Sequence, residues 1–430
     1  MSVDFAHDDV VKALSEDREF RLASRNWTAM VRINRGARKD DLVLIKGQVA
    51  SFGPATDDTA HVTLSGPEEG WERLLHGDPT LQFAFMTGEG GFSLEGDLVQ
   101  HLAPYGAAIR RFLKILARVH GYLPENAHIS QDPFQDTDVA VGRYVYYDVD
   151  GIRYRVYYEE AGEGIPLLLQ HTAGADNRQW RHFLADPELQ KTYRMIAYDL
   201  PYHGKSLPPL GGTPWWEAEY APSKEDLLKR IVGFKQALGL DRPLFMGVSV
   251  GGQLAPDILA HYPEHFRGAV SINGWYHPDA MAGFSNEPFH HPQISSEYWA
   301  GLMYEATSPL AAEQLRRESA WIYASNGPAV YKGDNEYYAH GHDLRVDGHL
   351  INTANTPLYA VAGEFDPAAH APGGSPEIAK NIPGAKYQEL KGLSHFAMSD
   401  DPVRFHAAIK PILADVVAQS EANSAATAPA

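Results

Sequence analysis

Apolar positions recur along this chain in two different rhythms, and the rhythm changes near residue 140. Before that point, residues Asp8 to Trp27 read as helical, with Val10, Leu14 and Phe20 set among charged neighbours. Two basic patches follow, Arg32 to Arg35 and Arg38-Lys39, and then Leu42 to Val49 reads as a strand, as does His61 to Ser65. Gly66 to Leu75 predicts a short helix after a turn, and Phe83 to Met86 and Phe92 to Asp97 predict further strands. Apolar residues at 109, 112, 113, 116 and 119 then share one helical face.

After residue 140 the apolar runs become continuous. Arg143 to Tyr158 reads as a hairpin turning at Asp150-Gly151. Ile165 to Gln170, Met195 to Asp199, Leu244 to Met246, Gly268 to Ile272, Leu358 to Ala362 and Lys386 to Leu390 then read as strands, mostly buried. Helical stretches intervene, notably Ser223 to Leu238 and Pro402 to Val417. Strands alternating with helices predict a mostly parallel sheet covered on both faces, with ligands bound at the strands' carboxyl ends. The expected organisation is an α+β domain over 1–135, a Pro- and Asp-rich linker over 124–138, an α/β domain over 140–418 and a disordered tail over 419–430. The aromatic-rich stretch from about 277 to 353 is too long for a plain connection and reads as a cap.

Composition narrows the function. A formal net charge of -18 disfavours nucleic-acid binding, and no stretch approaches the apolar length of a membrane span. The absence of cysteine removes disulfides and thiolate chemistry, and the start of the chain does not read as a signal peptide, so the expected compartment is the cytoplasm. His290-His291 and His340-Gly341-His342-Asp343 lack the helical spacing of a zinc motif, so neither a metal nor a cofactor is expected.

The chemistry centres on Gly247-Val248-Ser249-Val250-Gly251, which follows a strand and opens a helix. A serine at such an apex sits on strained backbone, at the positive end of a helix. His171-Thr172-Ala173 ends one strand, and Asp199-Leu200-Pro201-Tyr202-His203-Gly204-Lys205-Ser206 follows the next. Gly363-Glu364-Phe365-Asp366 and Leu393-Ser394-His395-Phe396 come after the last two. Together these stretches make Arg143 to Val417 resemble the α/β-hydrolases. Thr172 and Tyr202 depart from the family by standing where it usually has glycine.

The resemblance implies a nucleophile at Ser249, a base at His395 and an acid at Asp366, preferred over Glu364. It implies an oxyanion hole from the Ala173 and Val250 N–H groups, with His171 bracing that loop and His203 packed within its turn. Dehalogenation and epoxide opening in this fold use an apical aspartate, so a serine favours acyl chemistry. The expected activity is a serine hydrolase acting on a carboxylic ester or lactone with a bulky hydrophobic or aromatic group. Carbon–carbon, amide or carbamate hydrolysis, and a non-catalytic carrier of hydrophobic ligands, stay open. Trp180, Tyr202, Trp275, Tyr276, Trp299 and Trp321 are candidate substrate contacts. His61 to Gly96, with Trp71 on its helix, resembles the sterol-carrier-protein-like fold, which implies an apolar ligand tunnel. The plainer expectation is that this domain assists dimerisation or covers the active site, and homo-oligomer formation stays open.

Overall fold

The computed structural model describes residues 4–427 except 57–58, 82–83, 123–136, 210 and 282–285. Most of the expected linker thus lies outside the described residues, as do Phe83 and the last three residues of the expected tail. The chain divides into one unit of residues 1–128 with 291–305 and another of 129–290 with 306–430.

The first unit begins with helices α1 (His7–Glu16) and α2 (Arg18–Ala23). The single helix expected there breaks at Asp17, whose carboxylate caps α2 at the Phe20 N–H (2.8 Å). Strands β1 (Ala29–Arg35), β2 (Arg38–Ile45), β3 (Gln48–Pro54), β4 (Val62–Gly66) and β5 (Ser93–Gly96) form a sheet in the order β3-β2-β1-β4-β5. The basic patch at Arg32 to Arg35 belongs to β1, whose alternate residues are buried. Arg35 itself is an inward position, its charge held by Asp40 at 2.6 Å and laid over the Phe5 ring. The strand expected over Leu42 to Val49 is interrupted at Lys46-Gly47, both at positive φ. A Cβ on Gly47 would lie 2.5 Å from the Ser24 carbonyl oxygen, so the turn requires glycine.

Helices α3 (Glu68–Leu75), α4 (Ala84–Thr87) and α5 (Ala103–Val119) complete this chain segment, so the strand expected over Phe83 to Met86 is helical from Ala84. Trp27, Trp71, Phe92 and Phe112 fill the interior, and the Trp71 indole donates to the Asn34 carbonyl (2.8 Å). The helix Glu297–Glu305 packs with α5 in this unit, and Lys114 lies over the Tyr304 ring.

The second unit carries β6 (Val141–Val149), β7 (Ile152–Ala161), β8 (Ile165–Gln170), α6 (Arg181–Leu184), β9 (Tyr193–Tyr198), α7 (Lys224–Ala237), β10 (Leu244–Val248), α8 (Val250–His261), β11 (Gly268–Ile272), β12 (Leu358–Gly363) and β13 (Lys386–Leu390). Its sheet runs β13-β12-β11-β10-β8-β9-β7-β6, parallel from β13 to β9 and antiparallel at the β7 and β6 edge. β10 and β11 are buried throughout, because α7 and α8 cover one face and the C-terminal helix Pro402–Thr427 covers the other. That helix runs through most of the tail expected to be disordered. Alanine and glutamate at 421–422 suit a helix, and Ser420 is buried. Among the described residues no helix is long and apolar enough to cross a membrane.

The insertion between β11 and β12 is shared between the units, since residues 291–305 cluster with the first. Its helix Glu313–Ala324 is tied to α6 through Glu318, which meets Arg181 at 2.6 Å. Burial alone would raise the Glu318 pKa, but hydrogen bonds from Arg181 and the nearby His182 ring outweigh it and bring it down to about 2. A carboxylate held below its ordinary value stabilises the fold above about pH 4.5 and loses that contribution as pH falls toward 2. Glu318→Gln is expected to destabilise the protein by about 2 kcal/mol at pH 7, allowing for partial exposure of the pair, and by visibly less at about pH 3. Urea unfolding at both pH values checks this, and a gap that does not narrow contradicts it.

Candidate active site

Ser249 stands between β10 and α8 with φ +58° and ψ -114°. A non-glycine residue adopts that region only under constraint, and the constraint comes from the glycines beside it. A Cβ on Gly247 would lie 2.4 Å from the Gly251 carbonyl oxygen, and one on Gly251 would lie 2.7 Å from the Gln170 side chain. The elbow is therefore wedged between its own helix and β8. Ser249 is buried, and its N–H donates to the Ile272 carbonyl (2.9 Å).

Three residues past the end of β12, Asp366 turns its Oδ1 to the Ala368 and Ala369 N–H groups (3.1 and 3.4 Å). Its Oδ2 lies 2.6 Å from His395 Nδ1, beyond the end of β13. A carboxylate only accepts, so Nδ1 carries the proton and Nε2 is left as the basic nitrogen. Glu364 faces outward instead, to the Gly392 N–H (2.8 Å) and Lys391. Asn273, at the end of β11 with φ +50°, joins the two loops. Its Nδ2 donates to the Ser394 and His395 carbonyls (3.2 and 3.1 Å), and its Oδ1 accepts from the Gly363 N–H (2.9 Å). Asn273 was not among the site residues read from the sequence. An amide closing the strand beside the elbow was the available signal.

Beyond β8, the Thr172 carbonyl accepts from His171 Nδ1 (2.8 Å) and from the Ala175 N–H (3.3 Å). In a trans peptide the Ala173 N–H points the opposite way. Among the described residues, neither it nor the Val250 N–H donates to a protein acceptor, although both residues are buried. Gln179 holds the loop by accepting from both the N–H and the hydroxyl of Thr172 (3.0 and 3.1 Å), and Tyr323 meets the same hydroxyl. Burial, with help from His203, lowers the His171 pKa to about 4, so its ring is neutral. Its Nε2 accepts from the Leu200 N–H (3.1 Å).

The candidate substrate contacts scatter. Trp180 is fully buried against Phe183 and Phe405 and fills the core rather than lining a site. Trp321 is 68% exposed, and Trp299 sits on the helix packed in the first unit. Tyr276 rims a cleft of about 870 Å³ with Leu344, His349 and Pro383, none of them in the triad proposed from sequence. Tyr202, at φ +78°, adopts the left-handed backbone that explains glycine's usual place there, and its ring packs on Tyr220. Trp275 is buried under Tyr338 with ring centroids 4.6 Å apart.

Tyr338 is a site aromatic that was not among the candidates read from the sequence. Burial, and then the Asp366 carboxylate, raise its pKa well above the ordinary value, while the nearby Ser249 side chain works against both. The Tyr338 hydroxyl is thus the neighbour of the Ser249 hydroxyl. A Ser249–His395 hydrogen bond is not among those of this structure, and such contacts commonly tighten only with substrate bound. Among the described residues no cluster of three or more His, Asp or Glu side chains could hold a metal ion.

Residues 165–306 match the family model described as the alpha/beta hydrolase fold. The dihydrolipoyllysine-residue acetyltransferase component of the acetoin cleaving system of Cupriavidus necator is 25% identical over 277 residues, covering 63% of this chain and 69% of that protein. Haloalkane dehalogenase 2 of Mycobacterium tuberculosis is 26% identical over 60% of this chain and 92% of its own. Among solved structures, a thermophilic esterase from Thermogutta terrifontis superposes with a TM-score of 0.52 at 19% identity, covering 64% of this chain and 99% of that one. The fold and these matches define the class: the protein is a hydrolase of the α/β-hydrolase fold.

Proposed function

We propose that the second unit is a serine hydrolase that cleaves a carboxylic ester or lactone carrying a bulky hydrophobic or aromatic group. The observation that carries this reading is the Asp366–His395 pair at 2.6 Å, at the same carboxyl ends of the parallel strands as the strained Ser249. In the proposed reaction His395 Nε2 takes the Ser249 proton as Oγ attacks the substrate carbonyl. The Ala173 and Val250 N–H groups hold the resulting oxyanion. His395 then returns the proton to the leaving alcohol, and a water, activated by the same nitrogen, releases the acid from the acyl-enzyme.

A serine at the apex separates this chain from a dehalogenase mechanism, which in this fold uses aspartate there. Tyr338 beside the serine, with Tyr323 and Tyr331 against the loop of Thr172 and Gly174, supports an apolar or aromatic substrate. Burial raises the pKa of Tyr323 and Tyr338 well above the ordinary value and that of Tyr331 to about 12, so the wall stays uncharged at neutral pH. The first unit is proposed to be an α+β accessory domain of the sterol-carrier type, on the strength of its sheet and the buried Trp71 helix.

A fluorophosphonate probe followed by peptide mass spectrometry tests the reading. The expected result is one adduct on Ser249 in the folded protein, absent after heat denaturation. Folded protein without an adduct would overturn the proposal.

A further inference from the structure

The loop that carries the Ala173 N–H is gripped from outside the sheet. Gly174 sits at φ +61°, and a Cβ there would lie 2.5 Å from the Tyr331 ring. Its N–H donates to Asp334 Oδ2 (2.8 Å), on the helix Pro328–Glu336 of the insertion. The same oxygen meets His203 Nε2 at 2.7 Å, and Oδ1 accepts from the Tyr220 hydroxyl (3.3 Å). One carboxylate thus gathers the oxyanion loop, the turn after β9 and the segment before α7. The Asp334 and His203 side chains are fully buried.

The charge state of the histidine follows from its partners. His203 Nδ1 lies 3.1 Å from the Pro201 carbonyl, which can only accept, and Nε2 faces a carboxylate. Both nitrogens therefore carry protons, and the ring is an imidazolium. The other groups facing it are His171, with ring centroids 4.7 Å apart, Tyr220, and the Asp199 carboxyl. Burial alone would lower the His203 pKa, but Asp334 outweighs it and raises it.

We infer that Asp334 is a positioning residue for the oxyanion hole and that the His203 imidazolium is its required counter-charge. This rests on the serine-hydrolase reading, in which Ala173 supplies an oxyanion donor. The bond from Gly174 fixes the peptide after Ala173, while His171 fixes the peptide before it through the Thr172 carbonyl. The Ala173 N–H is clamped between the two. A bare carboxylate one peptide away would oppose negative charge on the substrate oxygen, and the imidazolium cancels it. Buried pairs are poor sources of net stability, so positioning is the better account of why an ion pair stands here.

The test uses the full chain and p-nitrophenyl butyrate, with kcat and KM followed from pH 6 to 10. Asp334→Asn is expected to lower kcat about 10–100-fold with KM within about twofold, since a hydrogen-bond donor is misplaced rather than removed. The parent's kcat is expected to decline as pH rises through the raised His203 pKa, whereas His203→Gln leaves Asp334 uncompensated, so its kcat is low at every pH and shows no such decline. Combining the two removes the bare charge and is expected to recover about tenfold over His203→Gln alone. Parental kcat in Asp334→Asn, or losses that multiply in the double variant, would overturn the inference. If the parent neither takes the fluorophosphonate nor turns over esters, the serine-hydrolase reading fails. The clamp is then judged by the ¹⁵N shifts of His203 in the unaltered protein at pH 8, with a neutral ring overturning it and an imidazolium upholding it. The same measurement decides the matter should the variants not fold.

Discussion

Ser249→Ala is expected to lower kcat on an activated ester by about 10⁴- to 10⁶-fold while leaving the fold intact. The hydroxyl is the only group lost, and no other serine stands at the elbow to replace it. Folding is spared because the elbow is held by backbone bonds, from the Ser249 N–H to Ile272 and from the Gln253 N–H to the Ser249 carbonyl. The glycine contacts that force positive φ on this position are also unchanged. Residual turnover is expected from the N–H groups of Ala173 and Val250, the proposed oxyanion hole, which the substitution leaves in place. Steady-state kinetics alongside thermal unfolding checks both halves. Activity within tenfold of the parent would remove Ser249 from the mechanism.

The second large effect is expected at Asp366. Asp366→Asn should cost about 10⁴ in kcat at neutral pH, although it changes a single atom. The remaining Oδ1 keeps its acceptor role toward the Ala368 and Ala369 N–H groups, so the new amide NH₂ takes the Oδ2 position. It then donates to His395 Nδ1, forcing the proton onto Nε2, where the base is needed. Glu364→Gln is the control. Its carboxylate bonds the Gly392 N–H and Lys391 at the exterior, and kcat should stay within about twofold. Equal losses in the two variants would contradict the assignment.

How much of this was legible before folding depended on whether the information was local. The elbow, the hairpin at Asp150-Gly151 and the buried strands of the second unit are written in runs of a few residues. A continuous apolar run has no partner-dependent meaning, so those elements could be read directly. β1 was missed because Arg32 and Arg35 masked its alternation. Only the fold supplies Asp41 and Asp40 to neutralise them. Phe83 to Met86 read as a strand for its aromatics, yet Ala84–Thr87 forms one helical turn.

The tryptophans and tyrosines make the division clearest. Aromatic residues in an insertion have the same sequence signature whether they face a substrate, a core or solvent. Trp180 went to the core because Phe405, far along the chain, closes over it, and Trp321 was left in solvent. Tyr338 was brought to Ser249 by the fold alone. By itself the sequence determined the α/β layering of the second unit, the strained serine and the order in which acid and histidine follow it. Tertiary structure decided which carboxylate meets His395, which aromatics surround the serine, and how Asn273 and Asp334 hold the loops. Those choices are contacts between residues up to about 160 positions apart, as from Gly174 to Asp334, and no local pattern encodes them.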